Sequence, residues 1–213
     1  MKQLMLIGLT LLMASCGSSQ SDLHSVADAS ATWSNPSAIP VCFVDGNANW
    51  QKYRDSVKQT ITSNYNQTES VRFTGWGICG STSKKSTIRI KMGNPISFSE
   101  GSVMGCSHIG PGPSSFSACE SLLSDYSGSG FNMYIFPLDQ GTVVHEFGHA
   151  LGLRHEHARS DAPARCQTRE LARNGGNVVY LSEDYDYDSV MGYCNNASEL
   201  SATDIDGLNQ LYP

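Results

Sequence analysis

Apolar residues recur along this chain with two periods, and the switches between them mark out its elements. Residues 39–44 form a short apolar run that reads as a strand. Trp50, Tyr53, Val57, Ile61 and Tyr65 then fall at the spacing of one helix face, with Asn49 expected as the N-cap. Residues 71–76 read as a second strand. Residues 87–92 alternate, setting Ile88, Ile90 and Met92 on one face and Arg89 and Lys91 on the other. The stretch 93–130 is rich in Gly, Ser and Pro, and holds at most an edge strand near 102–108 and one helical turn near 118–123. Residues 131–136 read as a buried strand ended by Pro137, followed by a helix from about 141 to 153. An aromatic and acidic run, 183–193, leads to a last helix over 203–211 capped by Ser201.

The ends and the cysteines set the compartment. Residues 1–15, MKQLMLIGLTLLMAS, place one Lys before an apolar run and small residues, the grammar of an export signal that is too short to span a bilayer. The tetrad ending at Cys16 resembles the bacterial lipoprotein signal, which implies a lipid anchor on that thiol and an outer-membrane or cell-surface location, with plain secretion as the alternative. Residues 16–38, polar and small, are expected to be a flexible tether, a short pro-segment being the competing idea. Setting Cys16 aside leaves six cysteines, an even number in an exported chain. Three disulfides are expected; six cysteines permit about 15 pairings and the sequence selects none of them, the pairs guessed being Cys166 with Cys194 and Cys106 with Cys119.

A chain of 213 residues is long enough for one packed domain, taken as 39–213 and as a monomer. The 14 basic against 20 acidic residues leave a net charge of −6, so no broad cationic face exists for nucleic acid. Contact with a membrane is expected only through the anchor.

The chemistry is concentrated in one string, HEFGHALGLRHEH, at 145–157. His145 and His149 are one helical turn apart, about 400° of rotation and 6 Å of rise, so both imidazoles leave the same face. Continuing that helix would carry His155 about 600° round and 9 Å beyond His149, facing away. The helix must therefore stop, and Gly152 stands where a left-handed C-terminal turn costs least. The reversed chain then brings His155 back over the other two. Three neutral imidazoles leave an open position, the ligand set of a catalytic zinc site with one ion. Glu146 sits beside them as general base toward a water attacking a carbonyl, and peptide bonds are the expected substrate.

The full pattern HExxHxxGxxH, matched by His145, Glu146, His149, Gly152 and His155, resembles the metzincin zinc peptidases. The stretch Ser189-Val190-Met191-Gly192-Tyr193 resembles their methionine-bearing turn. Glu156 after the third histidine and the run 183–193 resemble the astacin family most closely, although Gly192 stands where a His is usual, and SATDIDGLNQLY at 201–212 is similar to the closing helix of matrixin-like bacterial relatives. What the resemblance implies is an α/β (α+β) fold: a twisted mixed sheet, a backing helix, an active-site helix over the cleft, and a small irregular lower lobe, the two lobes being 39–152 and 153–213. It further implies Met191 as the floor of the site and Tyr193 as a distal fifth zinc ligand that can swing away to hydrogen-bond the tetrahedral intermediate. Glu156 meets the mature N-terminus in that family, and here its role is open.

Two competing readings remain. A non-catalytic binding or adhesion module on the same fold would have lost the base or a ligand, and none is missing. A structural metal site would show a fourth Cys or His ligand. His157 reads as a residue behind the ligands or on the surface, and the acidic run 183–188 as an irregular loop rather than a calcium site.

Overall fold

A computed structural model of the protein describes residues 26–80, 86–98, 101–111, 131–166 and 178–213. Its frame is a five-stranded sheet made by β2 (Ile39–Phe43), β3 (Phe73–Ile78), β4 (Ile88–Met92), β7 (Gly105–Ser107) and β8 (Met133–Ile135), in the order β3-β2-β4-β8-β7. The strands run parallel except β7, which pairs antiparallel to β8 and forms one edge. The alternation in β4 holds, with Ile88, Ile90 and Met92 buried. A hairpin of β5 (Ile96–Phe98) and β6 (Gly101–Val103) precedes β7. The edge strand expected over 102–108 is thus two short strands broken at Met104, and the helical turn expected at 118–123 lies outside the described residues.

Helix α1 (Gln51–Tyr65) buries Val57, Ile61 and Tyr65. Asn49 is not its cap. A 3-10 turn, Ala48–Trp50, leads into the helix, and the Asn47 side chain accepts from the Asn49 amide. Helix α2 (Gln140–Ala150) starts at Asp139, whose carboxylate accepts from the Thr142 amide, and six of its side chains from Val143 to His149 are buried together with Gly148. The two helices pack together. The Tyr65 hydroxyl donates to the Val144 carbonyl at 2.8 Å, and the Phe147 ring meets Phe73 edge-on at 5.0 Å. Helix α3 (Ala202–Leu211) is capped by Ser201 in a reciprocal box with Asp204. Its Leu208, with Tyr212 just beyond, joins the same core as Phe43 and Phe147, so the end of the chain packs into the main body.

The flexible tether expected over 16–38 is corrected from Val26 onward. β1 (Val26–Asp28) pairs antiparallel with β9 (Val178–Tyr180), and the Trp33 side chain is buried. The Trp33 indole N–H donates to the Ala150 carbonyl at 2.7 Å, and the Tyr212 hydroxyl to the Leu151 carbonyl at 2.7 Å. These are carbonyls at the C-terminal end of α2, which have no partner inside a helix. Three residues are too few to register as a strand in sequence, and a single Trp carries the packing. The signal at 1–15 and Cys16 lie outside the described residues.

Disulfides join Cys42 to Cys79 and Cys166 to Cys194, the second as expected. Cys106 is disulfide-bonded too, and its expected pairing with Cys119 lies outside the described residues. Among the described residues no helix is long and apolar enough to cross a membrane.

Candidate metal centre and active site

Helix α2 ends as the sequence requires. The Leu153 amide donates to the Gly148 carbonyl at 2.9 Å and the Gly152 amide to the His149 carbonyl at 2.9 Å, the paired bonds of a Schellman turn. Gly152 takes φ +96°, where a side chain is strained. The strand after the turn is held from the N-terminal side: the Arg154 amide donates to the Val26 carbonyl at 2.6 Å, and the Asp28 amide to the Gly152 carbonyl at 2.8 Å. The Arg154 guanidinium also pairs with Asp28 at 2.9 Å.

That reversal brings His155 to the helix face carrying His145 and His149. The Nε2 atoms of His149 and His155 are 3.0 Å apart, and those of His155 and His145 3.2 Å. One ligand atom from each of the three residues lies within 4.8 Å of the others, and all three residues are buried. Nδ1 of His145 faces the Val190 carbonyl and Nδ1 of His149 the Leu153 carbonyl, each at 2.8 Å. A carbonyl only accepts, so both Nδ1 atoms carry the proton and both Nε2 atoms present lone pairs. Converging lone pairs repel unless a cation lies between them. The separations lie just inside the edge, about 3.3–3.4 Å, of a tetrahedron with metal–nitrogen bonds of about 2.0–2.1 Å. The residues therefore fit zinc.

Glu146 borders the same cleft and is buried, and burial pushes its carboxyl up to about 8. Its Oε2 has no hydrogen-bond partner among the described residues. The cleft, about 860 Å³, runs between the Met104–Gly105 edge and the segment around Tyr193. The Tyr193 hydroxyl stands 2.8 Å from Nε2 of His155. Met191 is buried beneath the helix, its sulfur against Gly148, where a Cβ would collide with it.

Residues 136–212 match the family model of the astacin peptidases. Over these residues, which hold all three histidines, the chain is similar to the astacin peptidases. The astacin-like metalloprotease toxin 4 of Loxosceles laeta is 35% identical over 65 residues, 26% of this chain and 57% of that protein. Tolloid-like protein 1 of Homo sapiens is 40% identical over 67 residues, 26% of this chain but 7% of that protein. The match thus spans only part of these relatives' length. The solved structure of myroilysin, 22% identical, aligns with a TM-score of 0.57 over 88% of this chain and 98% of that one, a likeness of fold.

The surroundings of the histidines explain residues whose part was open in sequence. Glu156 is fully buried. Its amide donates to the Met191 carbonyl at 3.0 Å, and its Oε1 accepts from the Asp186 amide at 2.9 Å and faces Arg159 Nε at 3.4 Å. Burial pushes its carboxyl up to about 7, against the pull of that amide and guanidinium. It therefore staples the turn below the site to the third-histidine segment. His157 is fully buried, its ring 4.7 Å from that of His155 and 4.2 Å from that of Tyr193. Asp204 was missed. Its carboxylate accepts from Ser189 Oγ at 2.7 Å and the Val190 amide at 3.0 Å, holding the residue whose carbonyl orients His145. The Ser201-x-x-Asp204 spacing was the signal available for it.

Proposed function

We propose that this protein is an exported zinc endopeptidase that hydrolyses peptide bonds in extended or unfolded protein. The observation that carries the reading is the convergence of three imidazole nitrogens, two of them held so as to present lone pairs, beside a buried carboxylate at one open cleft. His145, His149 and His155 would hold one zinc ion. Zinc, when bound, supplies the Lewis acidity that polarises a carbonyl and lowers the pKa of water to about 7. Glu146 takes the proton of the attacking water and passes it to the departing amine nitrogen. An adjacent dication favours its ionised form, offsetting burial. The Tyr193 hydroxyl is in reach of the same point and donates a hydrogen bond to the oxyanion as it forms. Met191 and Gly152 shape the floor and the turn.

The edge strand β7 flanks the cleft, and an extended peptide adds to such an edge through main-chain hydrogen bonds. The apolar run at 4–13, the even cysteines and the disulfides support export, with Cys16 as the lipid-bearing residue of an otherwise monomeric protein at the cell surface. The reading is tested with protein lacking residues 1–16. It carries zinc and cleaves denatured protein, and Glu146→Gln keeps the metal while losing activity by about a hundredfold or more. Undiminished cleavage by the variant removes Glu146 as the base. Metal retention without any cleavage by the parent protein favours the binding-module reading instead.

A further inference from the structure

Tyr193 differs from the other residues of the site in one respect. His145, Glu146, His149 and His155 are buried, whereas Tyr193 is 58% exposed, yet its hydroxyl stays 2.8 Å from Nε2 of His155. Its ring meets those of His145 at 5.5 Å, His155 at 4.6 Å and His157 at 4.2 Å, while Gly192 before it adds backbone freedom.

Besides the His145 ring, what fixes Tyr193 lies on the segment that carries His155. Two residues ahead of it, the Met191 carbonyl accepts from the Glu156 amide at 3.0 Å. One residue behind it, Cys194 is disulfide-bonded to Cys166. The tyrosine is thus bracketed by two ties to one stretch, 155–166. That stretch also supplies the His157 ring, fully buried and 4.2 Å from the Tyr193 ring at an interplanar angle of 31°. The stretch is stiff. Arg159 pairs with Glu156 at 3.4 Å and with Asp161 at 2.7 Å, and the Cys166 amide donates to the Pro163 carbonyl at 2.7 Å.

We infer that the Cys166–Cys194 disulfide and His157 are positioning residues for Tyr193, the covalent tie setting its backbone and the imidazole its ring, so that the hydroxyl is already at the site when substrate arrives. The inference rests on Tyr193 acting in the hydrolysis proposed above. A hydroxyl that serves only as charge develops on the carbonyl oxygen affects kcat and leaves ground-state binding alone. Loss of the clamp therefore shows in kcat and not in KM. A disulfide that merely holds the fold together would not make this distinction.

The experiment uses the zinc-loaded protein and a fluorogenic peptide, with Cys166→Ala/Cys194→Ala and Tyr193→Phe made singly and together. Tyr193→Phe lowers kcat. The cysteine pair variant lowers it on the order of tenfold at little-changed KM, within what ångström-scale misplacement costs. In the Tyr193→Phe background the same cysteine changes cost nothing further. Equal losses in both backgrounds, or a loss confined to KM, make the disulfide a general staple and overturn the inference.

Should the cysteine variant not fold, His157 gives a second reading with the disulfide intact. His157→Ala lowers kcat, and His157→Phe, which keeps a flat ring against Tyr193, restores it. Two equally impaired or two unimpaired variants overturn the inference. If Tyr193→Phe alone leaves kcat unchanged, the role of Tyr193 falls and the clamp with it, while the peptidase reading stands on Glu146→Gln.

Discussion

The Nδ1–H of His149 donates to the carbonyl of Leu153, 2.8 Å away, across the very turn made at Gly152. One reversal thus does two tasks, delivering His155 and fixing the ring of the histidine that precedes it. Replacing Gly152 by Ala places a Cβ at φ +96°, with the carbonyl oxygens of Ala31 and Asp28 only 3.2 and 3.3 Å away. The expected cost is about 1–2 kcal/mol of stability together with weaker zinc retention. Denaturant unfolding and chelator competition measure the two, and a variant that matches the parent in both would show that the turn does not govern the ligands.

Asp204 reaches the site through a relay of hydrogen bonds. Its carboxylate holds Ser189 and the Val190 amide, and the Val190 carbonyl holds His145. Asp204→Ala leaves a buried hydroxyl and amide without acceptors, and is expected to cost about 2–4 kcal/mol and to lower zinc affinity. Thermal unfolding of metal-free protein separates the first effect from the second, and unchanged zinc affinity would break the relay.

The Trp33 indole caps the end of α2 from a segment distant in sequence. Trp33→Phe keeps most of the buried surface but strands the Ala150 carbonyl, at an expected cost of about 1–3 kcal/mol. Chemical denaturation of the purified variant reads it directly. A stability equal to the parent's would mean that water or another donor takes over the carbonyl.

Asp28 gives the protein an acid-sensitive contact. Burial works to raise its pKa, but hydrogen bonds from Ser30 and Arg154 outweigh it and hold the carboxyl below its ordinary value of 3.8. A carboxyl depressed in the folded state stabilises the fold fully above its ordinary value, and the contribution fades as pH falls through the lower folded value. Asp28→Asn is therefore less stable than the parent at pH 6, and the gap closes on the acid side of pH 3.8. Unfolding curves of both proteins across that range test it, and a gap independent of pH would assign the effect to geometry instead.

The site was legible because its geometry follows from spacing. One turn separates His145 from His149, and a glycine is needed before His155 can return; both statements follow from helix arithmetic alone. The helical face of α1 and the alternation in β4 were readable for the same reason, and α3 was readable from its Ser201 cap. Asn49 and Asn47 were indistinguishable as caps because the 3-10 turn between them leaves no trace in apolar spacing. The pairing of Val26–Asp28 was hidden because a three-residue strand completes no period, and its partner, Val178–Tyr180, is far along the chain. Asp204 looked like an ordinary helix-start acid, since its second task depends on where the turn at Ser189 folds back.

The pairing of β1 with β9 also sets an order of events. Val26–Asp28 has its strand partner at Val178–Tyr180, and the Trp33 amide meets the Tyr212 hydroxyl at 3.4 Å. One edge of Val26–Asp28 bonds to residues 152–154 and the other only to Val178–Tyr180, so the strand is paired on both sides only when most of the polypeptide has been made. Closure over such sequence distances is slow. The segment that carries His155, tied to Val26 and Asp28, therefore gains its full support only once residues far apart along the chain have met.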